Sequence, residues 1–130
     1  MATKIRGNDK TSELTEEFMK IGKDENSTCF IKFIDEKAVV FANVALRLDY
    51  VEGTETSPVG YLEGVYEKEN YRKKGYAREL VEDCEKWARE KNCKEFASDC
   101  LLENTDSLKF HLAIGFIEVN RIICFKKILI

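Results

Sequence analysis

Proline is almost missing from this 130-residue chain: Pro58 stands alone, as do His111 among histidines and Trp87 among tryptophans. No Cys-x-x-Cys and no Cys/His cluster occurs, so a zinc site is not expected. No apolar run nears the roughly 20 residues of a membrane-spanning helix. Basic excess is lacking too: 21 Lys and Arg face 24 Asp and Glu, for a net charge of -3. A nucleic-acid binder usually shows the opposite balance. Glycine numbers seven, which excludes collagen-like and low-complexity classes. What remains is a chain of one-domain length, expected to fold over residues 1–130 without staples.

The five cysteines, Cys29, Cys84, Cys93, Cys100 and Cys124, make an odd set. The opening Met-Ala-Thr-Lys-Ile-Arg has no apolar segment of a secretory signal. Free thiols in a reducing, cytoplasmic setting are therefore expected, each cysteine serving as small core filler. No membrane partner is expected either.

Periodicity divides the chain into alternating elements. Leu14, Phe18 and Ile21 share one face of a short helix predicted over 11–22. Strands are predicted over 28–34 and 38–49, joined by a tight turn at Asp35-Glu36-Lys37. Gly53, Ser57, Thr54, Thr56 and Pro58 mark 50–58 as a loop. Residues 59–67 read as a strand whose two glycines signal a bulge or a close backbone approach. Ala77, Leu80, Val81, Cys84, Trp87 and Ala88 recur at helical spacing and give the clearest helix, 76–91. A short strand over 94–99, a helix from Thr105 to Ile114 closed by Gly115, and a terminal strand over 116–128 complete the order. The fold class is α/β (α+β), a single sheet with helices on its faces.

Chemistry concentrates at residues 59–77. There a strand runs into Arg72-Lys73-Lys74-Gly75-Tyr76-Ala77 and opens the helix. Unpaired N–H groups and the positive end of the helix dipole favour an anion, and three adjacent cations reinforce them. In isolation such a segment also reads as a solvated charge run. It lacks the Gly-x-x-x-x-Gly-Lys-Ser/Thr spacing of a nucleoside-triphosphatase loop. From Asp49 to Glu63 stand four acids and no base, a composition suited to a polycation or to a solvated polar loop. Glu63 lies inside a predicted strand, where an acid is uncommon. Asp99 ends the next strand. Either carboxylate, facing a cleft, would hold an ammonium group and accept its proton.

The loop pattern resembles the Arg/Gln-x-x-Gly-x-Gly/Ala pyrophosphate segment of the GNAT N-acetyltransferase superfamily. Asn104, the helix bearing Leu108-Lys109-Phe110-His111, and Ile114-Gly115-Phe116 resemble its second signature. Arg47 to Gly64, Glu95 to Asp99 and Leu102 to Thr105 are similar to the aminoglycoside 6'-N-acetyltransferases, and the likeness spans roughly residues 38–128. It implies a mixed, largely antiparallel sheet with a splayed central strand pair. The implied reaction is direct transfer of acetyl from acetyl-CoA to the 6'-amine of an aminoglycoside in a ternary complex, with no metal. An acetyltransferase for a polyamine or peptide, and a reduced CoA-binding module, are the alternatives.

The same resemblance implies residue roles. Glu63 and Asp99 are candidate bases and, with Tyr50 and the position of Asn120, substrate contacts. Val65, Tyr66 and Glu67 would pair through their backbone with the pantetheine arm, Arg72 to Ala77 would hold the pyrophosphate, and Asn104 would touch pantetheine or simply cap its helix. His111 stands where many members carry a Tyr that protonates the leaving thiolate; a packed structural histidine is the other reading. Thr3 to Arg6 match a first strand, and the helical segment after it is short. The family's substrate-contacting Trp has no counterpart, and an acid is replaced at Asn120. A homodimer joined through the C-terminal strands is expected.

Overall fold

A computed structural model describes residues 4–6 and 25–130 of the chain. The helix expected over 11–22 lies outside the described residues. Two compact units emerge, the first ending at Asp99 and the second running from Cys100 to Ile130.

The first unit is a five-stranded sheet in the order β1-β2-β3-β4-β5, with β1 Lys4–Arg6, β2 Ser27–Ile34, β3 Lys37–Arg47, β4 Val59–Glu67 and β5 Phe96–Ser98. The long central pairs, β2 with β3 and β3 with β4, are antiparallel, and the short outer pairs are parallel. That is the mixed, largely antiparallel sheet expected from the sequence. The predicted hairpin is a two-residue one. Asp35 and Glu36 both adopt left-handed φ, 49° and 67°, between the paired Ile34 and Lys37. Such a turn matches the right-handed twist of its strands. β3 ends at Arg47, two residues before the predicted limit, and β5 is confined to three residues.

Helix α1, Tyr76–Glu90, packs on β2, β3 and β4. It buries Ala77, Leu80, Val81, Cys84, Trp87 and Ala88, the stripe that helical spacing predicts. Lys32 of β2 ties in the first turn, reaching Glu79 at 3.4 Å and lying over the Tyr76 ring at 5.1 Å. A second buried cluster, Cys29, Ile31, Phe33, Ala38 and Phe41, forms from β2 and β3.

The register slips between Asn43 and Val44, so Gly64 faces Asn43 and Leu62 faces Val44. Glu63 is the extra residue of this bulge. The bulge predicted from the strand's glycines is therefore real, with the acid at its apex. The β4–β5 ladder covers only Gly60–Leu62 and Phe96–Ser98. Beyond it, residues 63–67 of β4 have no strand partner on that side among the described residues. This is the divergence expected between the two strands.

The second unit contains helix α2, Thr105–Ala113, capped by Asn104, whose Oδ1 accepts from the Ser107 amide at 3.1 Å. The terminal strand expected over 116–128 is not formed: residues 116–130 carry no strand or helix. Ile117, Ile122, Ile123, Phe125 and Leu129 are exposed. Alternation of apolar residues fixes which face of a strand is buried; it does not supply the neighbouring strand whose amides must complete the ladder. The cysteines also divide. Cys29, Cys84 and Cys93 are buried as expected, whereas Cys100 and Cys124 are exposed and are not core filler. Burial pushes the Cys29 thiol up to about 12 and Cys84 well above its usual value, so neither is a nucleophile. Among the described residues no helix is long and apolar enough to cross a membrane.

Candidate active site

Gly60 faces helix α1, since a Cβ placed there would meet Ala88. Alternation then turns Tyr61 to the opposite side of the sheet. Arg47, the last residue of β3, lies on that side, its guanidinium 3.9 Å from the Tyr61 ring centroid. Arg47 also grips Glu63. Its Nε donates to Oε2 at 3.1 Å, and its Nη2 donates to Oε1 at 3.0 Å and Oε2 at 2.9 Å. The Tyr61 hydroxyl donates to Asp99 Oδ2. Burial first, and the Asp99 carboxylate second, push the Tyr61 hydroxyl up to about 12. It therefore remains a donor at neutral pH. Four side chains thus form one run, Glu63–Arg47–Tyr61–Asp99, linking the two predicted carboxylates.

The loop before β4 is fastened to this run. Val51 packs with Val59 and Tyr61, and partly buried Ala97 joins them. Glu95, just before β5, accepts from the amides of Glu55 and Thr56, both at 2.9 Å, and from the Thr56 hydroxyl. The Thr56 hydroxyl is the main reason its carboxyl sits below the usual range. Ser57 Oγ donates to the Leu48 carbonyl at 3.0 Å. The loop therefore presents Tyr50 and Glu52 from a fixed base. Tyr50 is exposed and its hydroxyl reaches Glu52 at 3.5 Å.

The open stretch of β4 carries Val65, Tyr66 and Glu67. Tyr66 stacks on Phe41 with 5.8 Å between ring centroids. Burial raises the Glu67 carboxyl, and the Arg72 charge pulls it partly back. Beyond β4, Glu69–Tyr71 make a single 3₁₀ turn. Lys73, at φ 61°, and Gly75, at φ 82°, then steer the backbone into α1. Gly75 is the N-cap and offers no side chain to the first-turn amides, which leaves them directed outward beside Arg72, Lys73 and Lys74. A Cβ on Gly75 would meet nothing within 4 Å, so the requirement for glycine there is the left-handed φ.

In the second unit, His111 Nδ1 lies 2.7 Å from the Ser107 carbonyl, which can only accept. The Nδ1 proton is thus committed to its own helix, and the ring packs 5.1 Å from that of Phe116. Asn104 is the helix cap, and Asn120 Oδ1 accepts from the Arg121 amide at 2.8 Å. The sequence reading missed Arg47, Tyr61 and Glu95. Arg47 lies two positions outside the acid-rich stretch. Its relevance depends on the β3–β4 register, for which the chain carries no local signal.

The chain matches the Acetyltransferase (GNAT) family model over residues 3–116. It is 41% identical over 114 residues to the aminoglycoside N(6')-acetyltransferase type 1 of Serratia marcescens, covering 87% of this chain and 78% of that one. Aminoglycoside N-acetyltransferase AAC(6')-Iy, solved with CoA, superposes with a TM-score of 0.80 at 37% identity, covering 88% and 84%. The same enzyme bound to a CoA-S-monomethyl-acetylneamine bisubstrate analogue gives 0.79 at 37%, covering 88% and 76%. Strand order, bulge, open β4 edge and uncapped helix thus coincide with a family model spanning most of the sequence, and the chain belongs to the GNAT acetyltransferase family.

Proposed function

We propose that this protein transfers an acetyl group from acetyl-CoA to the 6'-amino group of an aminoglycoside. The carrying observation is the pairing of Glu63 and Asp99 across the Arg47–Tyr61 bridge, beside the end of β4 that has no strand partner on its β5 side among the described residues. Every side chain used in the mechanism below belongs to the first unit.

Acetyl-CoA suits the groups present. The outward amides at the start of α1, with Arg72, Lys73 and Lys74, bind its pyrophosphate. The free edge of β4 at Val65, Tyr66 and Glu67 pairs with the amide-bearing pantetheine arm, and an edge N–H stabilises the oxyanion of the tetrahedral intermediate. The carboxylates serve the polycation: Glu63, Asp99 and the loop acids hold ammonium groups, with Tyr50 alongside. The 6'-ammonium gives a proton to a carboxylate, directly or through water. The freed lone pair attacks the thioester carbonyl, collapse of the intermediate breaks the C–S bond, and the departing CoA thiolate takes up the second proton that the amide nitrogen loses. No covalent enzyme intermediate is needed, because the thioester is already activated. Cytoplasmic residence, a homodimer and a part in antibiotic resistance extend the same reading.

A thiol-release assay with acetyl-CoA and kanamycin, spermine or a lysine peptide tests this. Turnover confined to aminoglycosides bearing a 6'-amine is expected; turnover of spermine or the peptide alone would replace the substrate class, and none at all would leave a CoA-binding module. The cofactor half has its own prediction. Gly75→Val forces a β-branched residue to φ 82° and distorts the first turn of α1. The KM for acetyl-CoA should rise roughly tenfold, as expected when a few charge-assisted amide contacts are lost, while that for the amine changes little. An unchanged KM for acetyl-CoA would remove the pyrophosphate from this loop.

A further inference from the structure

The acid-rich face is not vacant of cations. Arg47 places a guanidinium against both oxygens of Glu63, at 2.9–3.1 Å, and flat on the Tyr61 ring at 3.9 Å. A carboxylate and an aromatic face are the two groups that recognise an ammonium ion. The side chains of Arg47 and Glu63 are 45% and 36% accessible, so the pair is held from one side and open on the other. Arg47 sits at the end of β3 and Glu63 at the apex of the bulge, both positions from which a side chain can swing without disturbing a ladder.

We propose that Arg47 is an internal stand-in for the substrate's cation and thereby sets the affinity threshold that an arriving amine must exceed. In the free protein it occupies the Glu63 seat. An arriving ammonium must displace it, and the guanidinium then turns to solvent. The exchange of one cation for another at a single carboxylate is close to neutral. A monoamine therefore gains little by it, whereas a polycation that also engages Asp99 or the loop acids gains at every further site. The device rejects simple amines without a shaped pocket. This inference rests on the assignment of Glu63 and Asp99 to the substrate amine, and it goes beyond that assignment by naming what holds Glu63 until the amine arrives.

The experiment is equilibrium titration of the intact protein with kanamycin and with butylamine, run beside turnover. Arg47→Gln keeps a polar side chain of similar reach and removes the charge. Exposed pairs of this kind are weak, so kanamycin should bind the variant about threefold more tightly. Butylamine must displace the same guanidinium, so its binding should improve by about the same factor. Arg47→Lys keeps a cation in the seat and should stay near the parent protein. Weaker or unaltered kanamycin binding in Arg47→Gln overturns the proposal and makes Arg47 a positioning residue for Glu63. The acetyl-CoA KM reports whether the variant is folded. Turnover of the parent protein judges the function separately: tighter cation binding by Arg47→Gln without any aminoglycoside turnover would uphold the displaced arginine and reject the reaction.

Discussion

Asp99→Asn should lower kcat for a 6'-amino aminoglycoside by roughly 10²–10⁴-fold, the usual contribution of a general base. Glu63→Gln should act mainly on the KM for the amine, raising it a few-fold, roughly the net worth of an exposed charge pair once Arg47 has been displaced. The division follows from the hydrogen bonds. Both Glu63 oxygens accept from Arg47, which suits a seat for a cation. Asp99 accepts the Tyr61 hydroxyl on Oδ2, and Oδ1 receives no other donor among the described residues. The Tyr61 hydroxyl, held at about 12, does not compete as a base and instead fixes the carboxylate's orientation. In Asp99→Asn kcat should climb about tenfold per pH unit until the amine deprotonates by itself. Steady-state kinetics from pH 6 to 9 decide this. A flattened profile in Asp99→Asn together with a steep one in Glu63→Gln would exchange the two roles.

Much of this site could be read from the chain because local signals marked it. Glu63, an acid between Leu62 and Gly64 in a β-branched run, is anomalous by itself, and the structure puts it at the apex of the bulge. The Arg72–Ala77 segment announces a helix start, and α1 begins at Tyr76 with no side-chain cap. The stripe from Ala77 to Ala88 is the buried face of that helix. What escaped the reading depends on pairing between distant segments. Arg47 meets Glu63 across 16 positions and Tyr61 meets Asp99 across 38. Glu95 fastens a loop some 40 positions upstream. None of these residues is unusual among its chain neighbours; each becomes significant only through strand register. The expected strand over 116–128 failed for the converse reason: its alternation is a local signal, and a ladder needs a partner that local pattern does not specify.

Of Gly60, Gly64, Gly75 and Gly115, only Gly60 has neighbours that an added Cβ would meet. A Cβ there would lie 2.7 Å from the Ala88 Cβ and 2.9 Å from Phe96 Cδ1. The Phe96 ring can rotate away, but Ala88 has no rotamer to change, so the helix itself must move off the sheet. Gly60→Ala should cost about 1–3 kcal/mol, the usual penalty for overpacking, and Gly60→Val more. Ala88→Gly should restore part of the loss in the double variant Gly60→Ala/Ala88→Gly. Glycine inside a helix costs about 1 kcal/mol by itself, so the rescue is incomplete. The two substitutions should therefore be non-additive in a double-mutant cycle by roughly 0.5–3 kcal/mol, the range for residues in contact. Urea unfolding followed by far-UV circular dichroism measures all four proteins. The consequence extends to catalysis, because Gly60 opens the three-pair ladder with β5 that brings Asp99 beside Tyr61. Any Gly60→Ala protein that stays folded should bind acetyl-CoA with less change than it shows in kcat. An unfolding midpoint equal to that of the parent would mean that α1 can yield at this point, and that the close approach of helix and strand is not what aligns β4 with β5.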